Sequence, residues 1–306
     1  MNSWRELFVI SSALIFSMSL WFSTSIILVE LETKWNLDSM LISILHISIP
    51  IGFIIGTLVS AIVSLNNRFS DKSIFAISIL TAGLINLSLL FIDNGILGII
   101  VRIITGICLA GVYPSAVNLI IQFFPKSRGL GIGILIAGLT IGTALPYFIN
   151  IFTKDIDSVT VIMTTTILAF IAFFLIHVIL KDSPMEKSYV ANFRFSDIIN
   201  IINDKGIMLV IFGYVGHMWE MYAMWFWLPF FLQSSFEAYG YHSPVLLSSI
   251  ISFLSIGIAG GLGCIVGGML AERIGKSQLT IYAMAISAAC CLVIGFFHGH
   301  NIILIA

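Results

Sequence analysis

The sequence predicts an all-α, polytopic membrane protein, and its composition and long apolar runs support this. Of the 306 residues, 59% are hydrophobic and only 9% are charged, and the mean hydropathy is +1.09. A soluble domain carries about 25% charged residues, so a water-soluble fold cannot hide this much apolar surface. Long apolar runs recur along the whole chain, and each provides the roughly 20 residues that an α-helix needs to cross a bilayer.

Nine apolar runs are long enough to cross the membrane, and a tenth begins at Asn301, which predicts nine to ten transmembrane helices. The predicted spans cover residues 8–29, 40–64, 73–92, 95–121, 129–152, 158–180, 207–233, 245–270 and 277–297. The first run exceeds the roughly 7–15 apolar residues of a secretory signal peptide, so it is predicted to be an uncleaved span. Trp4, Trp21 and Trp35 are interpreted as interfacial aromatic residues that flank this span.

A repeat inside the apolar sequence indicates two related halves. Two glycines four residues apart and a later arginine occur twice, with an offset of 205 residues: Gly52, Gly56 and Arg68, then Gly257, Gly261 and Arg273. Paired halves of this length are a common design of secondary transporters. We therefore expect a six-helix N-terminal bundle over residues 1–180, a linker over 181–206 and a partial C-terminal bundle over 207–306. A complete second half would extend to about residue 385 by the same symmetry.

The distribution of basic residues predicts the orientation. One set of alternating loops holds eleven of the fourteen Lys and Arg residues, and the opposite set holds two, Lys34 and Lys154. The rule that positive residues stay inside makes the first set cytoplasmic, which places the N-terminus in the cytoplasm. The expected location is the cell membrane, with the lipid bilayer as a partner. The linker carries residues that alternate between apolar and polar, including Phe195, Asp197 and Ile198. This alternation predicts a short amphipathic helix that lies on the cytoplasmic face of the membrane. The alternative is an ordinary linker helix.

Other functional classes have little support. A net charge of −1 gives no basic face for nucleic acid. The four cysteines lie in apolar runs without metal-ligand spacing, and they are interpreted as packing residues. The spans contain no pair of acids and no set of nucleophile and base, so no enzymatic activity, no metal and no cofactor is expected.

The loop after the eighth span carries the most specific motif. Gly268, Glu272, Arg273, Gly275 and Lys276 form a glycine, an acidic–basic pair, and then a glycine and a base. This motif resembles the cytoplasmic signature of the major facilitator superfamily, which follows spans two and eight. The resemblance implies that fold for the chain, with a gating role for the acidic and basic pair.

The copy of this motif after the second span is eroded. Arg68 is kept, but Val63, Asn67 and Ser70 stand where the signature has glycine, acid and glycine. The resemblance therefore does not predict an acidic–basic pair that closes the cytoplasmic side in this half.

Two further segments resemble patterns of the same superfamily. Span four has Arg102 followed four residues later by Gly106, as in the fourth-helix signature. The segment from Gly216 to Pro229 resembles the seventh helix of a poorly characterised prokaryotic branch, loosely grouped with nitrate/nitrite-type carriers. By the same resemblance, a standard nitrate carrier would have an Arg in spans two and eight, and both spans lack one.

Charged residues inside the spans are the main candidates for transport, because burying charge in a bilayer is costly. Arg102 is the one Lys or Arg well inside a span, and Glu220 is the one Asp or Glu. We predict that they form or border a substrate and proton site. Arg102 would hold an anionic group, and Glu220 would take up a proton when it loses its hydration. Alternatively, Arg102 pairs with polar groups of its own half.

Four more residues are candidates for the same site. His217 precedes Glu220 by three residues on one helix face, which favours a proton pair and, more weakly, a metal half-site. His46 in span two lines the cavity or lies in a helix interface. Tyr222 and Trp225 belong to an aromatic-rich stretch of span seven, which stacks on an organic substrate or packs against lipid.

These observations predict a secondary active transporter that works as a symporter. It would move a small polar or anionic solute by alternating access, coupled to H+, as a monomer if the chain is full length. The alternative is a receptor or assembly partner that derives from a transporter and has lost transport.

Overall fold

The structure is a computed structural model that describes residues 3–21, 23–125, 127–152, 157–182 and 195–300. All regular elements in these ranges are helices. The helices of the first half are α1 (Ser3–Met18), α2 (Ser23–Ile26), α3 (Leu28–Trp35), α4 (Ser39–Val63), α5 (Leu65–Arg68), α6 (Asp71–Leu87), α7 (Gly95–Leu109), α8 (Tyr113–Phe123), α9 (Arg128–Phe152) and α10 (Ser158–Phe174). Those of the second half are α11 (Phe195–Asn203), α12 (Lys205–Tyr239), α13 (Pro244–Ser252), α14 (Gly260–Ile274) and α15 (Lys276–Ile294).

Short irregular helices complete several spans. Two 3₁₀ segments, Ser88–Phe91 and Gly295–Phe297, follow α6 and α15, and a π-helical segment, Leu175–Ile179, follows α10. A second π-helical segment, Phe253–Ala259, joins α13 to α14 into one long span. Within the described ranges, eight helices are long and apolar enough to cross a membrane. Their bounds fall close to predicted spans two to nine, and the predicted all-α, polytopic membrane fold is confirmed. The predicted tenth span starts at Asn301, outside the described residues.

The first predicted span is wrong in one respect, because it is not a continuous helix. It divides into α1, α2 and α3, and the first break covers residues 19–21. Hydroxyl groups compete for backbone acceptors around this break: Ser17, Ser19 and Ser23 donate to the carbonyls of Ala13, Phe16 and Leu20. Such local side-chain bonds offer the backbone an alternative to the regular helical ladder. Trp21 lies in the break and is only 7% exposed, so its ring packs inside the protein.

Polar residues at the helix ends fix where most spans begin. Asp38, Ser70, Asn94, Asp157 and Asp204 each accept a hydrogen bond from a backbone N–H of the first turn that follows. A cap of this kind satisfies donors that the helix itself leaves free, and it is worth about 1 kcal/mol. The loops that end at Ser70 and Asn94 are short, which holds the spans on either side of them antiparallel.

The two halves differ in how much of their surface is buried. The main apolar core draws on α1, α6, α8, α9 and α10 of the first half, with Trp225 and Ile256 as the contributions of the second half. In contrast, α15 has no buried residue. The halves meet mainly where α9 packs along α13, the second π-helical segment and α14. Spans five and eight therefore form the principal contact between the halves.

Candidate functional site

Arg102 is the centre of the candidate site, and it lies beside the break in span one. Its side chain is 1% exposed, and it is one of the largest fully buried side chains in the described chain. Nη1 donates to Ser23 Oγ at 3.1 Å, and Nη2 donates to the Trp21 carbonyl at 2.9 Å. Span four thus binds a carbonyl beside the break in span one, so Arg102 pairs with groups of its own half.

The contacts of Arg102 leave hydrogen-bonding capacity and charge unused. Its Nε is buried and has no hydrogen-bond partner among the described residues. The same holds for Nε1 of Trp21. None of the ion pairs found in the described ranges involves Arg102. Buried donors without a partner and a buried charge without a counter-charge are costly to a fold.

Close packing of glycines brings span four into this position. A side chain at Gly106 would overlap the Ile49 carbonyl, and its Cβ would lie 3.1 Å from Gly52 Cα. At Gly56, a Cβ would lie 2.6 Å from the Ile107 carbonyl oxygen. Spans two and four therefore touch backbone to backbone, which requires glycine at these positions. Because Gly106 is one helical turn after Arg102, this contact also fixes the arginine against spans one and two.

Aromatic rings from both halves meet next to Arg102. The Trp21 ring stacks on Tyr222 of α12 at a centroid distance of 6.1 Å and meets Phe53 edge-on at 5.4 Å. Tyr222 in turn contacts Trp225 at 5.8 Å, and Trp225 is 4% exposed. We call Trp21, Phe53, Tyr222 and Trp225 the aromatic cluster. Its members come from spans one, two and seven, so the cluster crosses the boundary between the halves.

His46 joins this arrangement from span two. Its ring lies edge-on to Phe226 of α12, with a centroid distance of 4.3 Å. Of the six residues predicted for the binding site, Arg102, Tyr222 and Trp225 therefore lie around Trp21, and His46 reaches α12 through Phe226.

Glu220 and His217 take a different position. Ser287 of α15 donates a hydrogen bond of 2.6 Å to Glu220 Oε1, and the Cys291 thiol approaches the same oxygen at 3.8 Å. Glu220 is two residues from Tyr222, and residues two apart on a helix point in nearly opposite directions. Within the described ranges no hydrogen bond or ion pair joins Glu220 to Arg102 or to His217, whose side chain is exposed. The structure thus separates the acidic candidate from the basic one.

The signature after span eight lies where the two halves touch. A Cβ at Gly268 would lie 2.7 Å from the Gly129 carbonyl oxygen, and one at Gly129 would lie 2.7 Å from Glu272 Oε1. Glu272 therefore sits against the first turn of α9, where the partial positive charge of a helix N-terminus favours a carboxylate. Gly275 has φ +88° between α14 and α15, a conformation that favours glycine.

The basic residues of the two signature copies have fewer contacts. Arg68, Arg273 and Lys276 are all exposed, and none takes part in an ion pair within the described part of the chain. In the first copy, the position that matches Lys276 is Asp71, whose side chain is buried. Its two carboxylate oxygens accept hydrogen bonds from Asn118 at 3.2 Å and from Gln122 at 2.8 Å.

Sequence reasoning missed Trp21 and Ser23, which hold Arg102, and Ser287, which binds Glu220. One signal in the sequence was available for the first two. A Trp-Phe pair occurs in span one at Trp21 and again in span seven at Trp225, 204 residues apart, which is one residue out of register with the 205-residue repeat. No comparable signal marks Ser287, because its contact with Glu220 joins residues that are far apart in the chain.

Comparison with known families gives one match, and it covers nearly the whole chain. The model of the Major Facilitator Superfamily matches residues 9–306. Comparison with curated proteins finds no match.

Proposed function

The chain belongs to the major facilitator superfamily, a family of membrane transporters, and from this premise we propose that it is a proton-coupled secondary transporter of a small anionic solute. The observation that carries the proposal is Arg102, a fully buried cation with an unpartnered Nε and no acidic partner in the described ranges. The anionic group of the solute supplies the missing charge and the missing acceptor.

The position of this cation fits transport by alternating access. Arg102 is held by the first half, whereas Tyr222, Trp225 and Phe226 cover the same region from the second half. A solute bound to Arg102 therefore lies at the boundary along which the halves move apart. In the conformation described here, α9 and α14 touch through Gly129, Gly133 and Gly268 at the predicted cytoplasmic end. This supports a state that is closed on that side.

Glu220 is the proposed proton carrier. It is the acidic residue well inside a predicted span, and its contacts from α15 are the neutral donors Ser287 and Cys291. Within the described ranges, no Lys, Arg or His side chain forms an ion pair with this carboxyl group. Because Glu220 and Arg102 are not in contact, proton and solute bind at separate places and are coupled through movement of α12.

The proposal is tested by uptake into liposomes that contain the purified protein. A radiolabelled carboxylate such as benzoate is the probe, and a pH gradient is the driving force. Wild-type protein should accumulate the probe and also exchange it in counterflow without a gradient. Glu220→Gln should lose accumulation but retain counterflow, because exchange needs no net proton movement. Glu237→Gln, which changes an exposed acid on the same helix, is the matched control.

The outcomes distinguish the parts of the proposal. If Glu220→Gln accumulates the probe as wild type does, the proton role is wrong. If wild-type protein binds the probe but shows neither accumulation nor counterflow, the chain is a receptor and not a carrier.

A further inference from the structure

We propose that the solute is a flat organic monoanion of the aromatic carboxylate class, and not an inorganic anion. This inference rests on the proposed function and concerns the same site. It follows from three features of that site: the number of free donors, the net charge, and the apolar rings around it.

The donors left free can bind a carboxylate, because the described residues use two of the five guanidinium N–H groups of Arg102 and three remain. A guanidinium has five N–H donors, and the protein accepts from Nη1 and Nη2 of Arg102 through Ser23 and Trp21. The Nε donor of Arg102 is left without a partner. The Nε1 donor of Trp21, the residue whose carbonyl accepts from Arg102, is also without a partner. A carboxylate has two oxygens and can accept from more than one such donor, with charge-assisted hydrogen bonds.

The charge favours one negative charge on the solute. None of the ion pairs in the described ranges involves Arg102, and no other Lys or Arg lies well inside a predicted span. A dianion would bring a second charge into an apolar region with no second fixed cation to meet it, which is costly.

The surrounding rings favour an aromatic body. Trp21, Tyr222 and Trp225 are connected by a stacked contact at 6.1 Å and an edge-on contact at 5.8 Å. Since Trp21 belongs to the first half and Tyr222 to the second, separating the halves exposes ring faces that a flat apolar solute can cover. A small hydrated inorganic anion gains nothing from such faces, whereas stacking of aromatic groups is favourable.

The test compares three probes of matched size or charge. Binding to wild-type protein is measured by thermal shift and by tryptophan fluorescence, with benzoate, benzamide and formate as probes. Benzoate should raise the melting temperature at the lowest concentration. Benzamide, which has the ring without the charge, and formate, which has the charge without the ring, should each require at least about tenfold higher concentration.

Variants assign the effect to the site. Trp21→Phe keeps a ring but removes the Nε1 donor, and it should weaken benzoate binding by about tenfold. Tyr222→Leu removes a stacking face and should weaken benzoate more than formate. Trp219→Phe is the matched control on the same helix, because Trp219 is 80% exposed; it should bind benzoate as wild type does. These variants leave Arg102 in place, so they do not disturb the support of span one.

Each result has a definite meaning. If formate or nitrate binds as tightly as benzoate, the aromatic class is wrong, while the proposed anion transporter stands. If benzamide binds as tightly as benzoate, the site does not recognise the negative charge of the solute. Both the proposed aromatic carboxylate class and the proposed role of Arg102 are then wrong. Unchanged benzoate binding in both Trp21→Phe and Tyr222→Leu would place the ligand elsewhere and overturn the inference.

Discussion

The two copies of the internal repeat use the same residues for different contacts. In the first copy, Gly56 lies against the backbone of span four in its own half, and a Cβ there would be 2.6 Å from the Ile107 oxygen. In the second copy, Gly261 faces Ile141 of span five in the other half, and a Cβ would meet it at an ordinary 3.4 Å. The same position therefore makes a tight contact inside one half and a looser contact between the halves.

The loops that follow the glycines differ in a related way. Span two ends at Val63, because Ser64 adopts a left-handed conformation. Span eight continues to Ile274, which corresponds to residue 69 of the first copy, so span eight is six residues longer at this end. The first loop then buries Asp71 against span four, and the second places Glu272 against the start of span five. The first copy binds its own half together, and the second copy connects the two halves. Gly268 and Glu272, which connect the halves in the second copy, are absent from the corresponding positions of the first copy, and so is Gly275.

The largest expected effect comes from exchanging the charges of the two copies. Asp71→Lys would bury a cation next to the amides of Asn118 and Gln122, which now donate to a carboxylate. We expect a loss of about 3 kcal/mol or more in unfolding free energy. The reciprocal change, Lys276→Asp, is at an exposed position and should cost no more than about 0.5 kcal/mol. Thermal unfolding in detergent measures both, and equal losses would contradict the comparison.

Matched glycine substitutions test the packing difference. Gly56→Ala should lower the unfolding free energy by about 2 kcal/mol, because the new methyl group meets fixed backbone. Gly261→Ala should be close to neutral, since the new methyl group would meet Ile141 and the Ala137 carbonyl at ordinary van der Waals distances of 3.4–3.6 Å and alanine favours a helix. Gly263→Ala, with no atom within 4 Å, is the control. A loss at Gly261 as large as at Gly56 would show that both contacts are equally tight.

A further difference between the two copies is expected at the turns before spans three and nine. Gly275 has φ +88° and ψ 144°, so Gly275→Ala should cost about 1–3 kcal/mol in backbone strain. Ser70 at the matching position has φ −67° and caps its helix, and Ser70→Gly should cost only a few tenths of a kcal/mol. The midpoints of thermal unfolding give the ranking. The reverse ranking would mean that the loops are equivalent despite their different backbones.

The sequence predicted most of the membrane spans well because each of them is a long apolar run, and five of them begin after a polar cap. It did not predict the break in span one, since no proline or glycine marks residues 19–21. Only the closely spaced Ser17, Ser19 and Ser23 hinted that side chains would compete for the helix backbone there.

For the site, the cost of buried charge identified Arg102 and Glu220 as candidates, but it could not tell which partners they have. The partner of Arg102 is a carbonyl released by the unpredicted break. The partner of Glu220 is a serine on a distant span. Both contacts depend on how helices pack, which hydropathy and spacing do not encode.

Movement between the halves is the central claim, and a distance measurement tests it most directly. Arg68 and Arg273 are equivalent in the repeat, exposed, and on the predicted cytoplasmic side of different halves. Spin labels are attached to the double variant Arg68→Cys and Arg273→Cys, in which the four native cysteines are replaced by serine. Pulsed electron paramagnetic resonance spectroscopy in lipid then measures the distance between the two labels. We predict two distance populations whose ratio changes when benzoate is added or the pH is lowered. A single distance that stays constant under all these conditions would contradict alternating access.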